Sequence, residues 1–253
     1  MTEEPLLSVG LAFVGVLLVV AFATAVKTAL GFGFPLIAVP LSALLIGART
    51  AVVLIAIPVL FSNLLILLRG GGTRDELRQF WTMLAGVIIG TVIGAQFLGV
   101  LDPGLLTLIV GVTTLAFAVV ALAGGLPAVS RRARAYAGPL VGLASGVMGG
   151  TTGIFAPLIA AYVHSLRVDK RAFVFWLTAS FFLGGVTQAL SYYRLGLYAG
   201  SIALYSLAAC LPVLVGTKVG FWLQDRLDAE TFRRFVLGLI LVSGASLILR
   251  QLL

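Results

Sequence analysis

Charge is scarce in this chain. Only 10% of its 253 residues are charged, against 60% hydrophobic, and the mean hydropathy is +1.15. A water-soluble domain of this length needs a charged surface that this composition does not supply. Cys210 is the one cysteine, which excludes an intrachain disulfide and any cysteine-based metal motif. His164 is the one histidine and cannot anchor a metal site by itself. Acidic residues are absent from the middle of every long apolar run; Asp102, Asp169, Asp225 and Asp228 fall at loops or segment ends. That placement argues against a carboxylate relay for protons or sodium. With no Cys–His or Ser–His constellation, paired buried carboxylates or metal cluster, neither an enzyme nor a cofactor is expected.

What the chain does have is long apolar runs. Stretches of about 17 to 25 residues are enough to cross a hydrocarbon core of ~30 Å, and several occur. The runs at Leu11–Ala23 and Phe235–Leu249 are almost continuously apolar, unlike the alternating strands of a membrane barrel. The expected fold is all-α and polytopic, with about eight to ten membrane segments. They read as 6–29, 33–47, 50–68, 79–100, 104–124, 137–149, 154–166, 172–190, 198–223 and 233–252. The N-terminal residues lack a basic leader region, so the first segment reads as a retained helix.

The net charge of +8 sits mostly in short loops and does not point to nucleic acid. If the segments alternate sides, one set of loops holds Arg69, Arg74, Arg78, Arg131, Arg132, Arg134, Arg167, Lys170, Arg171, Arg226, Arg233 and Arg234. The other holds Arg49, Arg194 and Arg250. The first set is then cytoplasmic by the positive-inside rule, and both termini lie outside a cytoplasmic (inner) membrane.

The chain also repeats itself. Pro-Leu-Ile-Ala occurs at Pro35–Ala38 and at Pro157–Ala160, and in the same register Gly31 matches Gly153 and Arg49 matches Arg171. In a second register, Gly90-Thr91-x-x-Gly94 matches Gly216-Thr217-x-x-Gly220, and Leu101-Asp102 matches Leu227-Asp228. The division expected is a first membrane repeat at 1–125, a basic cytoplasmic linker at 126–136 and a second membrane repeat at 137–253. An odd number of crossings per copy makes the two repeats inverted. Each opens with a helical hairpin broken by glycine, at Gly31-Phe32-Gly33-Phe34-Pro35 and at Gly149–Gly153 before Pro157. Glycine weakens a helix and proline favours its first turn, so each break reads as one helix ending and another beginning. Such backbone survives in a membrane only inside protein or against a wet cavity.

Gly-Phe-Gly-Phe-Pro followed by an apolar hairpin, a basic turn and a Gly-Thr-x-x-Gly helix, all repeated, resembles the TauE/SafE family over about Leu11 to Leu249. That resemblance implies about eight transmembrane helices and export of sulfite, sulfoacetate or related small organic anions. Thr151 and Thr152 interrupt a second break that is typically richer in glycine in the family. An anion channel or an organic-anion importer on the same fold stands as the alternative.

Inverted repeats with broken helices are a transporter architecture that binds substrate where half-helices begin, and a helix N-terminus suits an anion. The candidate substrate-binding residues are therefore Lys27, Gly31, Gly33, Phe34, Asn63, Gly150, Thr151, Thr152, Gly153 and Ile154. Lys27 would neutralise the anion, the two threonines would add hydroxyl donors, and Asn63 lies near a span centre. A charge inside a span costs at least ~2.5 kcal/mol and needs a role or partner. That singles out Lys218, which either lines the pathway or pairs with Asp225. Arg49 and Arg171 either gate the pathway mouths or anchor helix ends at headgroups. Gln188, Ser180 and Thr178 either meet substrate or tie helices together, and Trp176, Tyr192, Tyr193, Tyr198 and Trp222 suit interface belts. The partners expected are a small anion and the lipid bilayer, with self-association as a homodimer left open.

Overall fold

The computed structural model describes residues 4–31, 33–68, 74–122, 131–166, 168, 170–224, 226 and 228–252. Phe32, Arg69, Arg167, Asp169, Asp225, Leu227 and the first part of the linker, 126–130, lie outside the described residues. Among the described residues every regular element is a helix: α1 (Glu4–Leu30), α2 (Phe34–Ile46), α3 (Ala48–Leu67), α4 (Arg74–Val100), α5 (Pro103–Leu122), α6 (Arg131–Thr152), α7 (Ala156–Ser165), α8 (Lys170–Arg194), α9 (Ile202–Ala208), α10 (Leu211–Gln224) and α11 (Ala229–Leu252). Among the described residues, seven stretches are long and apolar enough to cross a membrane, and between 22% and 56% of each is buried within the protein. The remainder faces outward with large apolar side chains such as Leu18, Val100, Leu204 and Val242. A surface this apolar is stable against lipid, not water. The protein is an all-α, polytopic membrane protein.

Two elements differ from the sequence expectation. The segment read as 137–149 belongs to the 22-residue α6. Arg131–Ala135 is rich in arginine and alanine, strong helix formers that an apolar count overlooks, so the helix starts inside the stretch read as linker. The segment read as 198–223 is two helices. Pro212 has no N–H and its ring excludes the carbonyl four residues back, so the chain turns at Ala209–Cys210 before α10. At the position matching Pro212, the first copy carries Gly86, and α4 runs through unbroken.

The chain packs as two compact units, and these are not its two halves. One consists of Met1–Pro58, Asp102–Ala118 and Tyr198–Leu253; the other of Val59–Leu101 and Val119–Leu197. Each therefore joins segments from both copies of the sequence repeat. In the second unit α4 packs most extensively on α6. A methyl group on Gly90 or Gly94 would collide with the carbonyl oxygen of Leu143 or Val147. Gly142, Gly146 and Gly150 on α6 meet Met83, Val87 and Thr91 in the same manner. Glycines every fourth residue on both helices thus bring backbone against backbone, as small residues do in membranes. The first unit uses the other Gly-Thr-x-x-Gly motif in the same way. Gly216 of α10 lies on Ala21 and Thr24 of α1, and a methyl group on Gly220 would sit 2.5 Å from the carbonyl oxygen of Ala25. Each motif packs on the opening helix of the opposite copy.

The remaining sequence match is a pair of helix caps. Asp102 accepts the Gly104 N–H at 2.8 Å and the Leu105 N–H at 3.1 Å at the start of α5. Asp228 accepts the Thr231 N–H at 2.8 Å at the start of α11. Its hydrogen bonds with Thr231, side chain first and backbone second, hold its carboxyl below the usual aspartate range.

Three outcomes follow from this packing. Gly90→Ala should destabilise the detergent-solubilised protein by at least ~1–3 kcal/mol through overpacking, whereas Gly238→Ala, where an added methyl meets nothing within 4 Å, should be neutral or better; thermal unfolding of both variants is the check. Residues 1–125 and 126–253 expressed separately should each be degraded, and co-expressed should purify as one complex, because both units need both halves. Because the folded carboxyl of Asp228 titrates lower than the unfolded one, its stabilisation is present above the unfolded value and fades as pH falls through the folded one. Asp228→Ala should therefore cost stability at neutral pH and little in strong acid, read by unfolding at the two pH values.

Candidate functional site

The two helix breaks share one stereochemistry. In the first, α1 closes with the Gly31 N–H donating to the Lys27 carbonyl at 2.7 Å. In the second, α6 closes with the Gly153 N–H donating to the Gly149 carbonyl at 2.7 Å. Gly31 and Gly153 take φ values of +87° and +77°, the left-handed region in which glycine ends a helix without strain. Lys27 and Gly149 thus hold equivalent places. A proline stands in the first turn of each following helix, Pro35 in α2 and Pro157 in α7. At 13 and 10 residues, these helices are ~20 Å and ~15 Å long at 1.5 Å per residue, short of a ~30 Å core. Each hairpin therefore sets a helix C-terminus and a helix N-terminus a few residues apart.

In the first unit, Gly33 caps α2 with φ +107° and is buried beside Val26, while Gly31 is exposed. Lys27 is 6% exposed and Phe34 fully buried. Lys27 is the basic residue of the last turn of α1, where an ammonium complements the partial negative charge of a helix end.

In the second unit the break is buried throughout, from Gly149 to Phe155. The Phe155 ring occupies a slot left by two glycines: a methyl on Gly149 of α6 would collide with it, and one on Gly184 of α8 would lie 2.7 Å from its Cε1. Ser145 donates to the Phe155 carbonyl at 2.6 Å. The Ile154 N–H, which an unbroken helix would give to Gly150, goes to Thr152 Oγ1 at 3.2 Å. Two residues of α8 supply donors in exchange: Gln188 Nε2 reaches the Gly149 carbonyl at 3.1 Å, and Tyr192 Oη the Gly150 carbonyl at 2.7 Å.

The structure therefore gathers Gly150, Thr151, Thr152, Gly153 and Ile154 into one buried turn, and Lys27, Gly31, Gly33 and Phe34 around the other. The threonine hydroxyls are spent on the protein. Thr151 donates between the carbonyls of Gly94 and Val147 at 3.1 and 2.9 Å, and Thr152 donates to Met148 at 2.7 Å. Asn63 is buried at 1% exposure in α3, in the second unit. Arg49 and Arg171 are each the second residue of the helix that follows the hairpin, so they lie at the ends of α2 and α7 remote from the breaks. Lys218 is exposed, on the face of α10 turned away from the Gly216–Gly220 contact.

Two aromatics placed in interface belts are core residues instead. Trp176 is 1% exposed and stacks on Phe80 at 3.9 Å between centroids; Tyr192 is fully buried. The signal for Tyr192 was its spacing: Gln188 and Tyr192 lie four residues apart on one helix face, beside a helix that must end within the protein. Tyr193 and Trp222 are 75% and 53% exposed.

A scan against protein-family models matches residues 16–247 to the sulfite exporter TauE/SafE family. Neither the curated proteins nor the solved structures returned a match. With nearly its whole length matched, this multi-pass membrane protein belongs to the TauE/SafE sulfite exporter family.

Proposed function

We propose that this protein is a secondary transporter that exports a small oxyanion, sulfite or an organosulfonate such as sulfoacetate, across the cytoplasmic membrane, and that each helix break is a place where such an anion binds. The observation that carries this reading is the shared form of the breaks: left-handed glycine, short linker, proline-started helix, twice. A helix N-terminus presents unsatisfied N–H groups and a partial positive charge, which suits sulfonate or sulfite oxygens. Family membership supports sulfite-like chemistry, and the buried basic side chain of Lys27 supports a negative cargo at the first break.

Export proceeds by alternating access, with inverted repeats exposing the bound anion to one side and then the other. Both termini lie outside, and the basic loops are cytoplasmic. An inside-negative potential drives an anion outward with ~2.3 kcal/mol per charge per 100 mV. Arg49 and Arg171 meet the anion at the pathway mouths.

Purified protein in liposomes should release loaded sulfite or sulfoacetate with saturable kinetics and counterflow. Lys27→Ala, and separately Gly153→Ala, which forces a Cβ into the left-handed region, should each lower the rate at least about tenfold (~1.4 kcal/mol of transition-state stabilisation) while the protein still folds. Release of neither anion, or wild-type rates in both variants, contradicts the proposal. Large unitary currents without counterflow would identify a channel.

A further inference from the structure

The end of α6 carries an unusual cover. Gln188 Nε2 donates to the Gly149 carbonyl at 3.1 Å and to Tyr192 Oη at 2.7 Å, and Tyr192 Oη donates to the Gly150 carbonyl at 2.7 Å. Gln188 is 2% exposed and Tyr192 fully buried, so neither bond competes with water. Gly149 O also receives the Gly153 N–H, so Gln188 is its second donor, while Tyr192 replaces the Ile154 N–H that Gly150 O loses to Thr152.

Those oxygens matter electrostatically. A helix C-terminus is the negative end of its dipole, and in broken-helix carriers such carbonyls coordinate sodium or protons while the half-helix N-terminus takes the anion. Here both ends meet within a few residues, Thr152 ending α6 and Ala156 beginning α7. Uncovered, the α6 carbonyls would repel an anion and offer a cation site. The first break is built differently: Lys27, in the last turn of α1, stands where the second has Gly149. Glycine at 149 has no side chain to offer, and α8 supplies the donors.

We propose that Gln188 and Tyr192 set the charge preference of the second break, covering the carbonyls of Gly149 and Gly150 so that it accepts an anion and refuses a monovalent cation. They are positioning residues, acting through the backbone. The inference rests on the anion-export reading for its physiological meaning, but its central readout does not require transport.

The test uses the full-length protein with Tyr192→Phe, which removes only the hydroxyl, and Gln188→Met, which removes the donors at similar volume. Thermal unfolding in detergent is compared in about 100 mM sodium chloride and in equal N-methylglucamine chloride. Wild type should unfold at the same temperature in both. Each variant should gain a sodium-dependent rise of about 3 °C, because each frees acceptor capacity on one of the two carbonyl oxygens, and an oxygen so freed binds sodium in the folded state alone. In liposomes the variants should show a sulfite KM raised about tenfold. No sodium-dependent rise in either variant overturns the inference, even where KM rises, since a tie between α6 and α8 alone would account for that. Wild-type liposomes that move no sulfite count against the export reading, whereas the sodium comparison still decides this one. Should Tyr192→Phe fail to fold, Gln188→Met alone decides it.

Discussion

A backbone N–H or carbonyl within a bilayer has no water to turn to, and must find its partner in the protein. The rest of this structure depends on that requirement. Two helices are short of a full span, and several backbone groups at the second break are met by the protein itself. Gly153 N–H is taken by Gly149, Ile154 N–H by the Thr152 hydroxyl, the Gly150 carbonyl by Tyr192 and the Phe155 carbonyl by Ser145. The same economy appears along the spans, where Thr24, Thr91, Thr114 and Thr217 each donate to the carbonyl four residues back. The second break is therefore a built feature, its turn buried from Gly149 to Phe155.

Holding such a break still requires rigid neighbours. The glycine ladder of α4 and α6 supplies this in the second unit, with backbone contact at Gly90, Gly94, Gly146 and Gly150. Thr151 belongs to both systems, since its hydroxyl reaches the Gly94 carbonyl across the ladder. In the first unit α10 braces α1 through Gly216 and Gly220, one to three turns before the first break. Each copy thus lends its Gly-Thr-x-x-Gly helix to support the break of the other. That exchange explains why a motif far from the hairpins in sequence recurs with them.

Much of this was legible in the residues. The apolar runs specified membrane helices, and the paired glycines at 31 and 153 marked both breaks. Leu-Asp, met only as a repeated dipeptide, proved to be a helix cap at Asp102 and Asp228. Less legible was anything fixed by a contact between distant segments. The pairing of α4 with α6 lies in glycines four apart, Gly86 to Gly94 and Gly138 to Gly150, a spacing that names a sticky face without naming its partner. Tyr192 resembled a belt tyrosine because its hydroxyl's acceptor, the Gly150 carbonyl, lies 42 residues away. Thr151 and Thr152 looked like ligand donors because a sequence does not show that helical threonine hydroxyls turn back to their own helix. The α9–α10 turn follows from Pro212, whose effect the surrounding apolar residues masked.

The central claim is that each helix break holds a small oxyanion by its backbone N–H groups. The most direct measurement is amide hydrogen exchange of the detergent-solubilised protein with and without sulfite, read over peptides covering 30–37 and 152–158. Slower exchange in both peptides, with chloride at equal concentration having no effect, is the predicted result. Unchanged exchange at both breaks under conditions where the protein moves sulfite, or protection confined to other segments, would contradict it.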